Sequence, residues 1–405
     1  MNLDIRVFVL SFLLLPCVAI PANTFEDILR ESVIKNGFIS AEDMMNPIDQ
    51  KLATIGKGIF ESEALSLNGD ISCQSCHLDE FGSADGISIA VGIGGVGEGK
   101  ERAMSDGAII PRNTLPLWGR GHKGFDVLFW DGKVNFSDNQ QISAFGDTPP
   151  SDDPLVTAIH LPAIEIREML IEDKFINESK QEDVSSAEKV YQSIAMNVQK
   201  QEPELYDALK KQLNLSDNET LTFTNMAEAI SEFIKSKFAV KNTKFHKFIF
   251  NDESLSEDEF RGALLFYGKG KCSTCHSGAY LTDFSFHSLA LFQLGFGKNG
   301  FGVDYGRYNV THDPKDLYKF RTPPLYNASK TAPYGHSGSI ESLEAMVVAH
   351  YDPLSLVDPQ SWTVSERTEY YKRLVSAAED LIQIPYLTDT EVAQILTFLE
   401  TLEYE

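Results

Sequence analysis

"ISCQSCHLDE", residues 71–80, sets Cys73 and Cys76 three positions apart and puts His77 directly behind them. Two thiols at that spacing serve three chemistries: half a zinc site, a thiol redox pair, or a covalent anchor for haem. The adjacent histidine separates these readings. In c-type attachment the thiols bond the porphyrin vinyls and the neighbouring imidazole takes the iron. A second copy stands at "KCSTCHSGAY", residues 271–280, with Cys272, Cys275 and His276. One zinc shared by four thiols leaves both histidines without a task. The loop-rich approaches "LNGDISCQSCHLDEFG" and "FYGKGKCSTCHSGAYL" lack the strand-to-helix setting of a thiol oxidoreductase. The motifs therefore imply two covalently bound haem c groups.

The segments leading to the motifs repeat as well. Gly56 precedes Phe60, and Gly262 precedes Phe266, by four residues, so a helix is expected to deliver the chain to each haem. Ser256 to Glu259 form a capping-box pattern at the start of the second of these helices, and Thr388 with Glu391 form another before the last. Between the motifs, Val190 and Ile194, Leu205 and Leu209, then Ile230, Phe233 and Ile234 recur at helical spacing and read as core stripes. The expected fold is mainly α and loop-rich: two cytochrome c-type haem domains packed face to face. The expected division is a signal peptide over 1–22, an N-terminal extension over 23–50, an N-terminal domain over 51–245 and a C-terminal domain over 246–405. The boundary falls in "KNTKFHKFIFNDESLSED", which reads as polar and turn-rich.

Composition narrows the class further. With 405 residues, 42% hydrophobic and 23% charged, the chain has the make-up of a soluble globular protein with room for two or three cores. A formal net charge of -24 argues against a nucleic-acid partner, which requires a positive footprint. The apolar run from Val7 to about Ile20, interrupted by Pro16, is short for a membrane span and reads as a leader for export to the periplasm or cell surface. An integral membrane protein is not expected. Cys17 belongs to that leader, so the four motif cysteines leave none for a structural disulfide.

From about Leu52 onward the chain resembles the bacterial di-haem cytochrome c peroxidases, a family that includes the MauG-like enzymes. The resemblance rests on both C-x-x-C-H sites, "PRNT" (111–114), "FWDG" (129–132), "FRTPPLYN" (320–327) and "TAPYGHSG" (331–338), in the family's order. It implies hydrogen peroxide as substrate and either an electron-donor protein or a substrate protein as partner. It also implies that Trp130 relays electrons between the haems, and that Asn113, with the backbone of Thr331 and Pro333, holds a calcium ion. Glu165 in "LPAIEIRE" falls where the family keeps its distal acid–base glutamate, with Glu168 as the alternative. His77 and His276 would ligate the two irons.

Two departures tilt the resemblance toward the MauG-like branch. The loop after the first motif, from Leu78, contains no histidine to cap the iron of His77, and its glycine cluster reads as a flexible distal loop. The position where electron-transferring peroxidases offer methionine holds His350, with Met346 and Tyr351 as alternatives. A nitrogen ligand there favours high-valent iron more than a thioether does. His336 is expected to hydrogen-bond near a haem edge rather than to ligate. The expected activity is oxidation of a partner protein with peroxide. A conventional peroxidase drawing on a small cytochrome or copper protein is the alternative, and a non-catalytic electron carrier is the third reading.

Overall fold

The computed structural model describes residues 24–137, 141–170, 184–381 and 384–404. The leader read at 1–22 lies outside the described residues. The helices Gln50–Glu61 and Glu257–Tyr267 lead to the two motifs, and each crosses a later helix at its glycine. Gly56 lies so close to the helix Phe223–Lys237 that a Cβ there would come within 1.8 Å of the Ala229 carbonyl oxygen. Gly262 meets the helix Asp389–Glu400 in the same way, 2.0 Å from the Gln394 carbonyl oxygen. Only a residue without a side chain lets two backbones approach so closely. One turn on, Phe60 packs on Phe233 and Phe266 on Phe398, each at 5.0 Å between ring centres. The repeat seen in the sequence is thus a repeated helix crossing.

Caps set the helix ends where expected. Ser256 with Glu259, and Thr388 with Glu391, form reciprocal capping boxes that satisfy otherwise orphaned amides. The helices Val184–Gln201, Pro203–Gln212 and Phe223–Lys237 bury Val190, Ile194, Leu209, Ile230 and Ile234, as their spacing requires. Strands among the described residues are two-residue pieces in three antiparallel pairs. The fold is mainly α, and long loops connect the helices. No helix among the described residues is long and apolar enough to cross a membrane.

Two segments differ from their reading. The stretch read as a turn-rich boundary holds a helix, Lys244–Phe250, capped by Thr243, with Phe245 and Phe248 fully buried. Its lysines made the segment look polar, but Phe245, Phe248 and Ile249 share one helical face. Phe245 packs on Phe398 at 5.0 Å, so this helix sits against the C-terminal half. The extension packs on the same helix: Arg30 of the helix Phe25–Lys35 lies 4.1 Å from the Phe248 ring centre, and the Phe38 ring lies 4.6 Å from that of His246, tilted by 35°. The glycine loop, read as flexible, is tied by the buried Arg102, which donates to the carbonyls of Val91, Gly92 and Gly95 at 2.7, 2.8 and 3.0 Å.

Arg112 joins the halves. Its guanidinium donates bidentately to Asp304 at 2.8 and 2.9 Å and to Asp131 at 2.6 Å, all three side chains buried. Burial opposes all three charges, yet their mutual attraction holds both carboxyls well below the usual carboxylate range and raises the guanidinium.

Candidate functional site

The single turn Cys73–Ser75 puts Cys73, Cys76 and His77 on the wall of one cavity, and the turn Cys272–Thr274 does the same for Cys272, Cys275 and His276. Burial pushes the thiols of Cys73, Cys76 and Cys272 up to about 12, so they are poor thiolate nucleophiles. His77 Nδ1 donates to the Ser83 carbonyl at 2.8 Å, and His276 Nδ1 to the Leu281 carbonyl at 3.0 Å. Burial lowers both imidazoles to about 4. Each ring is therefore neutral near pH 7, with Nε2 left as the electron-pair donor, the arrangement of a metal-binding histidine held by a second partner.

The cavity at His276 encloses about 320 Å³. His350, at the end of the helix Leu343–Ala349, donates from Nδ1 to the Met346 carbonyl at 2.7 Å, and its ring centre lies 6.2 Å from that of His276. Two imidazoles binding one ion from opposite sides, each nitrogen about 2 Å from it, carry ring centres about 6 Å apart. Tyr351 instead turns its hydroxyl toward the Leu387 carbonyl, 3.5 Å away. His336 hydrogen-bonds Gln293 at 3.1 Å and stacks on Phe320 at 3.7 Å. Cys275, Asp283 and His287 also cluster closely enough to hold a metal. Both His287 nitrogens, however, face carboxylates, Asp283 and Asp380 at 3.0 Å each, whose hydrogen bonds push it up to about 12. That group is a protonated ion-pair cluster.

The cavity at His77 is smaller, about 210 Å³, and His77 is the one histidine on its wall among the described residues. Glu165, Glu168, Lys133 and Lys298 line it instead. Lys298 comes from the hairpin of Phe296–Gly297 and Gly300–Phe301 in the C-terminal half. Glu165 sits 3.4 Å from the Lys133 ammonium and 3.7 Å from that of Lys298, with 38% of its side chain open. Burial alone raises Glu165, but the two lysines outweigh it and hold the carboxyl below its usual range. Glu168 shifts the other way: burial raises it, and Glu165 adds to that against the pull of Lys133.

Trp130, Asn113, Thr114, Leu115 and Arg120 line both cavities. Trp130 donates from Nε1 to the Asn113 carbonyl at 2.9 Å and accepts from the Arg321 amide at 2.8 Å. The residue before it, Phe129, has a φ of 66°, a left-handed conformation that costs a bulky side chain roughly 1–2 kcal/mol. Arg321 holds the Phe129 carbonyl at 3.0 Å and so helps keep the strained turn in place. Asn113 meets the Pro333 carbonyl at 2.6 Å, and Thr331 and Pro333 share the larger cavity's wall with it.

The cavities suit haem on a further ground. Arg120 and Arg321 are buried beside them without a carboxylate partner among the described residues, and burial lowers them to about 10 and about 9. Arg321 Nη2 has no hydrogen-bond partner. A buried guanidinium without an anion is costly, and the two carboxylates of a porphyrin supply what is missing. Sequence reading missed Arg120, Arg321, Lys133 and Lys298. An arginine in a loop carries no local signal of its burial, and Lys298 reaches the first cavity only through the packing of the two halves.

Residues 50–254 match the family described as di-haem cytochrome c peroxidase. The chain is 27% identical over 333 residues to cytochrome-c peroxidase IdrP1 of Pseudomonas sp. (strain SCT), covering 76% of this chain and 73% of that protein. It is 26% identical over 311 residues to the methylamine utilization protein MauG of Methylorubrum extorquens, covering 76% and 70%. A MauG-like protein associated with microbial copper homeostasis shares the fold with a TM-score of 0.64 at 23% identity, over 91% of this chain and 93% of that one. The diheme peroxidase BthA from Burkholderia thailandensis E264 does so at 0.63 and 18%, over 91% and 89%. The family match takes in half of the chain and the whole first motif: the chain belongs to the di-haem cytochrome c peroxidase family, a family of oxidoreductases.

Proposed function

We propose that the protein is an exported enzyme that reacts with hydrogen peroxide in the His77 cavity and uses the oxidising equivalents, by way of the His276 cavity, to oxidise a partner protein. The observation that carries this reading is the asymmetry of the cavities: an imidazole faces His276, whereas carboxyls and lysines share the His77 cavity. Two haem c groups, when bound, supply redox-active iron, one centre open to peroxide and one that stores charge. Cys73 with Cys76, and Cys272 with Cys275, would hold them as thioethers. His77 and His276 would each give Nε2 to one iron, and His350 would occupy the other side of the second.

Cleaving the O–O bond heterolytically needs a group that takes a proton from one peroxide oxygen and returns it to the leaving one. Glu165 is expected from the sequence, but Lys133 and Lys298 hold it as a carboxylate. We assign the proton transfer to Glu168, which lines the same cavity and whose carboxyl burial raises, making it the better proton acceptor of the two, with Glu165 fixing the lysines. Trp130, on the wall of both cavities, relays electrons between them. Asn113 Oδ1 with the carbonyls of Thr331 and Pro333 would hold calcium, an oxygen set suited to a hard cation. In the structure that Asn113 amide donates to Pro333, so binding requires the amide to turn over.

The test is to add peroxide to the fully oxidised holoprotein. A long-lived, doubly oxidised state without any reductant supports the proposal. Turnover only after half-reduction, with a reduced cytochrome as donor, refutes it in favour of a conventional peroxidase. No fast change at all leaves an electron carrier.

A further inference from the structure

Tyr351 lies on the wall of the His276 cavity, directly after His350, and turns its ring onto Tyr386. Their ring centres are 5.5 Å apart at 76°, an edge-to-face contact. Tyr386 is 69% exposed. One ring contact therefore links Tyr351, half-buried on the cavity wall, to a well-exposed redox-active ring. Among the described residues, no other exposed aromatic ring stacks on a residue of that wall. The nearest rival path, Tyr318 to Tyr305 at 5.7 Å and on to Tyr308 at 5.9 Å, ends on half-buried rings, and its first hydroxyl is engaged by Glu369 at 2.8 Å. Glu344, Asp352 and Asp389 all act electrostatically on Tyr351, so the exit is rimmed by acid.

Building on the function proposed above, we infer that Tyr351 and Tyr386 form the exit by which oxidising equivalents reach a side chain too large to enter the cavity. The chemistry fits an electron-rich aromatic, a phenol or an indole, on a partner with a basic contact face. Tyr386 gives one electron inward through Tyr351 and its hydroxyl proton to water, which leaves a neutral phenoxyl. The partner's ring then gives one electron and one proton and restores the Tyr386 phenol. Two such passes supply two electrons, and these with two protons convert one peroxide to two waters. Enclosed redox centres need such a route because a folded partner cannot bring its own ring into the cavity.

The experiment treats the holoprotein with peroxide and a nitroso spin trap, then maps adducts by peptide mass spectrometry. A parallel reaction contains a lysine-rich peptide with a single tyrosine, and the yield is oxidised peptide per peroxide consumed. The expected result is an adduct at Tyr386, lost in Tyr386→Phe and in Tyr351→Phe, with the peptide yield down about tenfold or more in each. Tyr386→Trp, another oxidisable ring, restores the yield, and Tyr371→Phe, at a surface tyrosine 66% exposed, leaves it unchanged. Adducts at Tyr305 or Tyr308 instead, or a full peptide yield in Tyr386→Phe, overturn the inference while leaving the peroxide chemistry standing. A wild-type holoprotein that consumes no peroxide overturns both.

Discussion

The two cavities grow from the same repeated unit, a helix that leads to C-x-x-C-H and crosses a second helix at glycine, yet they differ in what shares the space with the histidine. At His276 the helix Leu343–Ala349 brings His350 to 6.2 Å, while the His77 cavity holds Glu165, Glu168, Lys133 and Lys298. The shared unit provides attachment and a neutral proximal imidazole. On the proposed function, the differing parts would divide the labour, with proton chemistry on one side and electron storage on the other.

That division breaks most sharply at Glu168. Glu168→Gln is expected to slow the reaction with peroxide by about 10²–10⁴-fold, as followed by stopped-flow absorbance of the oxidised holoprotein. Glu165→Gln should cost less, and the reverse ranking would return the proton transfer to Glu165. Next in size is the joint between the halves. Arg112→Ala leaves Asp131 and Asp304 buried without their cation, and urea unfolding should show a loss of about 3–5 kcal/mol. Removing the ligand that distinguishes the second cavity, by His350→Met, should raise the reduction potential of that centre in a spectroelectrochemical titration and shorten the doubly oxidised state. Trp130→Phe should weaken communication between the centres, and unchanged kinetics would refute the relay.

The smallest expected effect is on the pH dependence of stability. Burial lowers His246 to about 4 and His336 to about 3, both in the C-terminal half, so the unfolded chain binds more protons than the native one between there and 6.5. Their contribution is present above pH 6.5 and is lost as the pH falls through that window. Asp85, beside the first motif, is raised to about 6 by burial, so its contribution is largest at low pH and is lost as the pH rises from 3.8 to about 6. With His122 and His160 also lowered by burial, and Asp126 and Glu168 also raised, the histidines outnumber the carboxyls, and the urea midpoint should fall between pH 7 and pH 5. An unchanged midpoint would show that the histidines are not held neutral.

Local chemistry made much of this legible. The anchors, the helix caps at Ser256 and Thr388, and the glycines at both crossings depend on residues within one or two turns of each other. The helix Lys244–Phe250 was hidden because its apolar face is interleaved with lysines. Arg120, Arg321 and Lys298 were hidden because nothing near them in the chain reports the long-range contacts that bury them.

The sequence by itself determined that there are two haem attachment motifs, that each follows a helix, and that the first is followed by no capping histidine. These follow from spacing, which covalent geometry and the helical period translate directly into positions. Only the tertiary structure decided which groups face each histidine: His350 rather than Tyr351 across from His276, Glu168 without an ion pair among the described residues while Glu165 is tied, and Trp130 on both walls. Those outcomes depend on how the halves pack and on burial, which sets the charge a side chain carries, and neither is written in neighbouring residues.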